Sequence, residues 1–75
     1  MKHKARREKC IEMTYEYIRD YGPCRAASIL PVLNRKYRGD VMMNELSRYI
    51  AYLHGTGRIE DLMDEHGHRM WKVCE

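Results

Sequence analysis

The feature that most constrains the fold is an abrupt change of periodicity in the second half of the chain. Over residues 42–54, apolar residues recur at the spacing i, i+3, i+4, i+7, with Met42 at the start of the stripe, which is typical of one face of an α-helix. Residues 55–57 read Gly-Thr-Gly, and apolar and polar residues alternate after them as in a β-strand. A helix must therefore end and a strand begin within a few residues. We expect Asp40 to cap the start of this helix and Gly55 its end.

Two further helices are predicted upstream. Residues 5–21 carry an apolar stripe at helical spacing, and Gly22-Pro23 ends this segment because proline cannot continue a helix. Residues 24–39 carry a second apolar face of the same period, followed by turn residues. Pro31 leaves two starts open for the second helix: one directly after a capping Ser28, and one farther upstream with a bend at the proline.

Two short strands are predicted after the third helix. Trp71 and Val73 share one strand face, and Ile59 from the first strand is their natural partner in the core. Gly67 lies between the strands and can take the positive φ that a hairpin tip needs. The expected architecture is an α+β fold, mainly α, with three helices followed by a two-stranded β-hairpin.

The exit of the third helix resembles that of the winged helix-turn-helix superfamily. The family pattern is a helix with two apolar residues three apart, a short glycine-containing turn, and Arg-Ile or Arg-Val opening a strand; here these are Ile50, Leu53, residues 54–57 and Arg58-Ile59. The segment GPCRAASILPVLNRKYRGDV is similar to the family's second helix, although its connection NRKYRGD is longer than the tight turn of the simplest units. The resemblance covers about residues 10–73 and implies a DNA-binding module in which helix 42–54 enters the major groove, with the hairpin as a wing.

Charged residues are distributed in blocks along the chain, whose net charge is +3. Residues 1–9 hold five Lys or Arg and one Glu, and residues 22–39 hold four basic residues and no acid. Residues 59–65 hold four acids and no base. Basic segments in a small protein are typical of a phosphate-binding surface. We therefore expect a basic N-terminal arm over residues 1–9 before the winged-helix domain of residues 10–75. Two roles of these basic residues are open: they form a disordered arm that follows the DNA backbone, or they are surface charges that keep the protein soluble.

The resemblance places the exposed side of the third helix against DNA bases. Asn pairs with adenine, Arg with guanine and Ser with several bases. The alternative is that these residues form only the solvent-exposed side of a surface helix. The predicted base contacts are Met43, Asn44, Ser47 and Arg48. The predicted phosphate contacts are Arg25, Arg35, Lys36, Arg38, Tyr52, His66, His68 and Arg69.

The expected function is sequence-specific binding of double-stranded DNA, as in a transcriptional regulator. A single module of this size buries only about 600–1,000 Å² on DNA, so we also expect a homodimer, formed through Tyr15 and its neighbours or through the apolar end at residues 70–74. One alternative stays open at this point. The acidic wing would suit a basic protein partner, which would make the chain a protein–protein interaction module in a larger assembly that does not bind DNA directly.

Other classes of function find little support in the sequence. There is no glycine-rich phosphate loop and no hydrolase or metalloprotease motif, so we predict no enzyme, no cofactor and no small-molecule ligand. The three cysteines and four histidines do not have the spacing of a zinc site, so no metal is predicted. No apolar run is long enough to cross a membrane. We expect a cytoplasmic protein, associated with the nucleoid if the source is a prokaryote.

Overall fold

The computed structural model describes residues 2–74, and their side chains from residue 5 onward. Three helices precede two antiparallel strands within this part of the chain. The elements are α1 (Lys2–Tyr21), α2 (Ala26–Tyr37), α3 (Met43–Gly55), β1 (Ile59–Met63) and β2 (Arg69–Val73). The predicted fold class is confirmed: the fold is α+β, mainly helical, with the order of elements of a winged helix-turn-helix.

The core lies where the apolar stripes of the three helices meet the inner face of the hairpin. On α3, Leu46 and Leu53 are fully buried, and Tyr49 and Ile50 are nearly so, which confirms the stripe predicted for this helix. Burying one such side chain contributes about 1.5–3 kcal/mol. Met42 is 64% exposed, so the prediction that it starts the buried stripe is wrong. The other buried apolar residues are Cys10, Ile11, Ile18, Cys24, Ile29, Leu33, Val41, Ile59 and Trp71.

Helix α1 starts earlier than its apolar stripe indicates. Residues 2–9, for which we expected an arm, form the first two turns of α1. The Arg6 side chain anchors these turns: its guanidinium donates to the Asp40 carboxylate at 2.6 Å and to the Glu45 carboxylate at 2.9 Å. An ion pair between positions so far apart in the chain is not visible in the periodicity. Met1 and the side chains of Lys2 and Lys4 lie outside the described part.

Helix α2 also takes the earlier of its two predicted starts. It begins at Ala26, with Arg25 in extended conformation before it, so Ser28 is the third residue of the helix and does not cap it. Pro31 lies inside the helix. A proline there removes one backbone hydrogen bond. The helix continues through it, and burial of Ile29 and Leu33 on either side offsets that cost.

The connection between α2 and α3 is closed by one side chain. Asn34 donates from Nδ2 to the Val41 carbonyl at 3.1 Å, and its Oδ1 accepts the Val41 N–H at 2.8 Å. The intervening turn passes through Arg38 and Gly39, both with positive φ (56° and 80°). Asn34 thus ties the last turn of α2 to the residues just before α3, and these two hydrogen bonds close the long connection.

The two caps predicted for α3 are both displaced. Met42, not Asp40, is the residue at the N-cap, and its carbonyl accepts the first hydrogen bonds of the helix. The Asp40 carboxylate instead binds the Arg6 guanidinium. Gly55 is the last helical residue rather than the cap, and Thr56 follows it as C-cap.

The wing is attached to the helices by backbone hydrogen bonds as well as by packing. In the hairpin, Ile59 pairs with Val73, and Gly67 has φ 82° at the tip, as predicted. The Cys24 N–H donates to the Trp71 carbonyl at 3.0 Å, and the Trp71 N–H donates to the Cys24 carbonyl at 2.7 Å. Cys24 therefore acts as a one-residue third strand that holds β2 beside the start of α2.

Candidate nucleic-acid interface

The side of α3 that faces away from the core carries all four predicted base contacts. Because the buried stripe uses the positions i, i+3, i+4 and i+7, the positions between them point to solvent. The exposed α3 side chains between these positions are Met43, Asn44, Ser47, Arg48, Ala51, Tyr52 and His54. This surface, called the α3 face below, is polar near its middle and has a cleft along each border.

The first border of the α3 face is a cleft of about 320 Å³ between α3, the start of α2 and the wing. Its lining residues are Ala26, Ser47, Ile50, Ala51, His54, Arg69 and Trp71. The His54 ring packs edge-on against Trp71 at 5.3 Å, and the Arg69 guanidinium lies 5.4 Å from the centre of the same indole ring. The fold thereby brings Ser47, a predicted base contact, together with Arg69, a predicted phosphate contact.

The second border is a cleft of about 360 Å³ between α3 and the start of α1. Its lining residues are Arg7, Met42, Asn44, Glu45, Arg48 and Tyr49. The Arg7 guanidinium lies 4.9 Å from the centre of the Tyr52 ring, a cation–π distance that holds the arginine beside α3. Arg7 belongs to the basic arm that the sequence suggested could follow the DNA backbone, but it was not predicted to lie at the α3 face. Its place beside Asn44 and Arg48 depends on α1 extending to residue 2.

The one carboxylate on α3 is engaged within the protein. Glu45 accepts hydrogen bonds from Arg6 Nε at 3.1 Å and Nη2 at 2.9 Å, and also from the Tyr49 hydroxyl. Burial of the Tyr49 ring, together with this hydrogen bond, raises the pKa of Tyr49. The Glu45 carboxylate, which is the negative charge on α3 nearest to Asn44 and Arg48, thus shares the Arg6 guanidinium with Asp40.

The acids of the wing each have a basic partner. Every one of the four carboxylates lies within 4 Å of a basic side chain. The pairs are Glu60 with Lys72 (3.1 Å), Asp61 with Arg69 (3.4 Å) and His54 (3.9 Å), Asp64 with His68 (3.3 Å), and Glu65 with His66 (3.6 Å). Exposed pairs of this kind are weak and exchange readily. Lys72 and Arg69 therefore balance the charges of Glu60 and Asp61, whereas Asp64 and Glu65 have histidine partners, which carry a positive charge only when protonated.

The predicted phosphate contacts do not form one patch. Arg25 directly precedes Ala26, which lines the first cleft, and the Tyr52 ring contacts Arg7, which lines the second. Lys36 and Arg38 are exposed at the C-terminal end of α2, while His66 and His68 are exposed at the wing tip. Arg35 lines a cleft with Tyr17 and Tyr21 of α1 in which no α3 residue takes part. It therefore borders a different surface from the other candidates.

The described part of the chain holds no group of three side chains that could bind a metal ion. None of its helices has the length and apolarity needed to cross a bilayer.

Compared with models of known protein families, the sequence matches none. It also matches no curated protein. The evidence for a binding site therefore comes from the α3 face and its two clefts.

Proposed function

We propose that this chain is a sequence-specific double-stranded DNA-binding protein, acting as a transcriptional regulator, with α3 in the major groove. The observation that carries the proposal is the arrangement of the α3 face. The short polar side chains of Ser47 and Asn44 line the first and the second cleft, and each cleft contains an arginine from another element, Arg69 from β2 and Arg7 from α1. Phosphate contacts position a protein on a duplex and base contacts give it specificity, and this face offers groups for both.

The dimensions of α3 suit this role. A helix with its side chains is about 10–12 Å in diameter, and the major groove of B-DNA is about 12 Å wide. Asn44, Ser47 and Arg48 lie in the first half of α3, the part that reads bases in helix-turn-helix proteins. Arg7 and Arg69 would then approach the phosphates on the two sides of the groove.

The balance of charges supports the same interpretation. The Glu45 carboxylate in the second cleft is hydrogen-bonded to Arg6, which it shares with Asp40, so its charge near Arg48 and Arg7 is reduced. The acids of the wing are paired with basic side chains that include Arg69 and His54. DNA phosphates can compete for Arg69, because exposed ion pairs contribute only about 0–1 kcal/mol.

The test is fluorescence anisotropy of labelled duplex DNA titrated with the protein at several salt concentrations. We expect affinity to fall steeply with salt, because each neutralised phosphate releases condensed counterions. Arg7→Ala and Arg48→Ala should each weaken binding and reduce the salt slope by about one unit. Arg19→Ala is the matched control. Arg19 is an exposed arginine at the far end of α1, paired with Asp20, so its removal changes the net charge equally without touching the α3 face.

Two results would contradict the proposal. Equal loss of affinity in Arg7→Ala, Arg48→Ala and Arg19→Ala would mean that net charge, not the α3 face, attracts the DNA. Absence of binding at low salt would exclude DNA as the partner. It would favour the alternative left open by the sequence, a winged-helix module that binds another protein.

A further inference from the structure

A second surface of the protein, on the outer side of α1 and α2, carries apolar side chains that are exposed or half-buried. We call it the tyrosine ridge; it consists of Met13, Tyr17 and Tyr21 from α1 and Pro31 and Val32 from α2. Tyr21 is 70% exposed, and its ring packs on that of Tyr17 with centroids 4.8 Å apart. Contiguous exposed apolar surface of this kind marks an interaction site more often than isolated apolar residues do.

The tyrosine ridge is separate from the α3 face. Two shallow clefts run along the ridge, of about 200 Å³ and 500 Å³, and no α3 residue lines either of them. It also differs from the surface around Tyr15 that the sequence suggested for a dimer. The Arg58 guanidinium lies 4.1 Å from the centre of the Tyr15 ring and covers it.

Charges of opposite sign border the tyrosine ridge. Glu16 and Asp20 of α1 complete one cleft, and Arg35 of α2 completes the other. Asp20 already pairs with Arg19 at 2.9 Å. Neither Glu16 nor Arg35 forms an ion pair with any residue whose side chain the structure describes. The ridge thus has a carboxylate without an ion pair on one border and a guanidinium without an ion pair on the other.

We propose that the tyrosine ridge is the interface of a homodimer, occupied by the same surface of a second copy of this chain. In a two-fold dimer the same patch serves both partners and must complement itself. With the two-fold axis along the ridge, the acidic border of one copy faces the basic border of the other. Glu16 of each chain then meets Arg35 of its partner, and the tyrosines stack between them.

This arrangement has two consequences. Because the clefts of the ridge contain no α3 residue, both α3 faces stay uncovered in the dimer. The ridge is smaller than a standard interface, which uses about 20–30 residues a side, so the dimer is reversible and depends on protein concentration. The proposal does not rest on DNA binding, since a dimer forms or fails to form in the absence of DNA.

The test is sedimentation velocity of the full chain without DNA, over about 1 μM to 1 mM protein. We expect the unchanged protein to pass from a species of 9.0 kDa to one of twice that mass. Glu16→Arg and Arg35→Glu should each weaken dimerisation about tenfold or more, because two symmetry-related contacts turn from attraction to repulsion. Arg35 is exposed and Glu16 is half-buried, so circular dichroism will verify that both variants are folded.

Mixing the two variants gives the decisive result. In a mixed dimer, the arginine introduced in the first variant would face the glutamate introduced in the second. The unchanged Arg35 of the first variant would face the unchanged Glu16 of the second, so both contacts are attractive again. Those two variants, each of which self-associates only weakly, should therefore form a heterodimer when mixed.

Three results would overturn the proposal. The first is a wild-type protein that stays monomeric up to about 1 mM. The second is a dimer that neither charge reversal weakens, because the acidic and basic borders would then not face each other. The third is a mixture of the two variants in which affinity is not restored.

Discussion

The side chain of Asn34 offers the sharpest test of how this fold holds α3 in place. Its amide makes two hydrogen bonds with the backbone of Val41, one as donor to the carbonyl and one as acceptor from the N–H. Val41 is only 2% exposed, so water does not readily replace these bonds. Asn34→Ala removes both of them, whereas Asn34→Asp keeps an acceptor for the Val41 N–H and loses only the donor.

The magnitude follows from the number of bonds lost. Each hydrogen bond contributes about 0.5–1.5 kcal/mol net, and a buried donor left without a partner costs about 1–3 kcal/mol. We expect Asn34→Ala to lower the free energy of unfolding by about 2–3 kcal/mol and Asn34→Asp by about half as much. A chain of 75 residues has a total stability of about 4–11 kcal/mol, so the alanine variant loses a large share of it.

Urea unfolding followed by circular dichroism measures this loss, and the alanine variant should melt about 10–20 °C lower than the unchanged protein. Amide hydrogen exchange gives a local readout: the Val41 N–H should lose protection in Asn34→Ala and keep it in Asn34→Asp. Lys36→Ala is the control, an exposed change in the same turn of α2, expected to stay within about 0.5 kcal/mol of the unchanged protein. An equally small effect of Asn34→Ala would refute the role of Asn34 in closing the connection.

Two further predictions concern the packing of the wing and its tip. A Cβ at Gly22 would lie 2.4 Å from the Ile18 carbonyl oxygen and 3.2 Å from that of Trp71, so Gly22→Ala should destabilise the protein by about 1–3 kcal/mol in thermal melts. Gly55→Ala is its control: a Cβ there meets nothing within 4 Å, and the substitution should stabilise α3 by up to about 1 kcal/mol. At the wing tip, hydrogen bonds from the backbone N–H groups of His68 and His66 lower the pKa of Asp64 below its ordinary 3.8. Because the folded-state pKa is the lower one, Asp64 stabilises the protein above pH 3.8, and this contribution is lost as the pH falls through the folded-state pKa. The stability deficit of Asp64→Ala should therefore shrink between pH 5 and pH 2, and a deficit that does not change with pH would contradict this account.

The order of the elements is visible in the sequence because it depends on local periodicity. The stripe of Leu46, Ile50 and Leu53 can be buried only on one side of a helix, and the alternation after Gly57 can be buried only on one face of a strand. Glycine at the hairpin tip follows from the same local physics, since Gly67 takes a positive φ that other residues avoid. These features predicted three helices and a hairpin, and the fold confirms them.

The details that decide the candidate sites depend on contacts between residues distant in the chain. Asp40 lies two residues before Met42, the N-cap of α3, and its carboxylate binds Arg6, 34 positions earlier in the chain. The same arginine holds the first turns of α1 against α3. Arg7 reaches the α3 face for this reason. Arg35 faces the tyrosine ridge instead, because α2 begins at Ala26 and keeps its helical phase through Pro31.

By itself, the sequence determined the kind and order of the helices and strands, and which side of α3 is polar, because both depend on the spacing of neighbouring residues. Only the tertiary structure decided which basic residues surround that polar side and which carboxylates are already paired. Ion pairs and clefts join residues from different elements, so their composition depends on how the helices and the wing pack. For this reason the α3 face could be predicted from the sequence, while Arg7 beside it and the tyrosine ridge behind it could not.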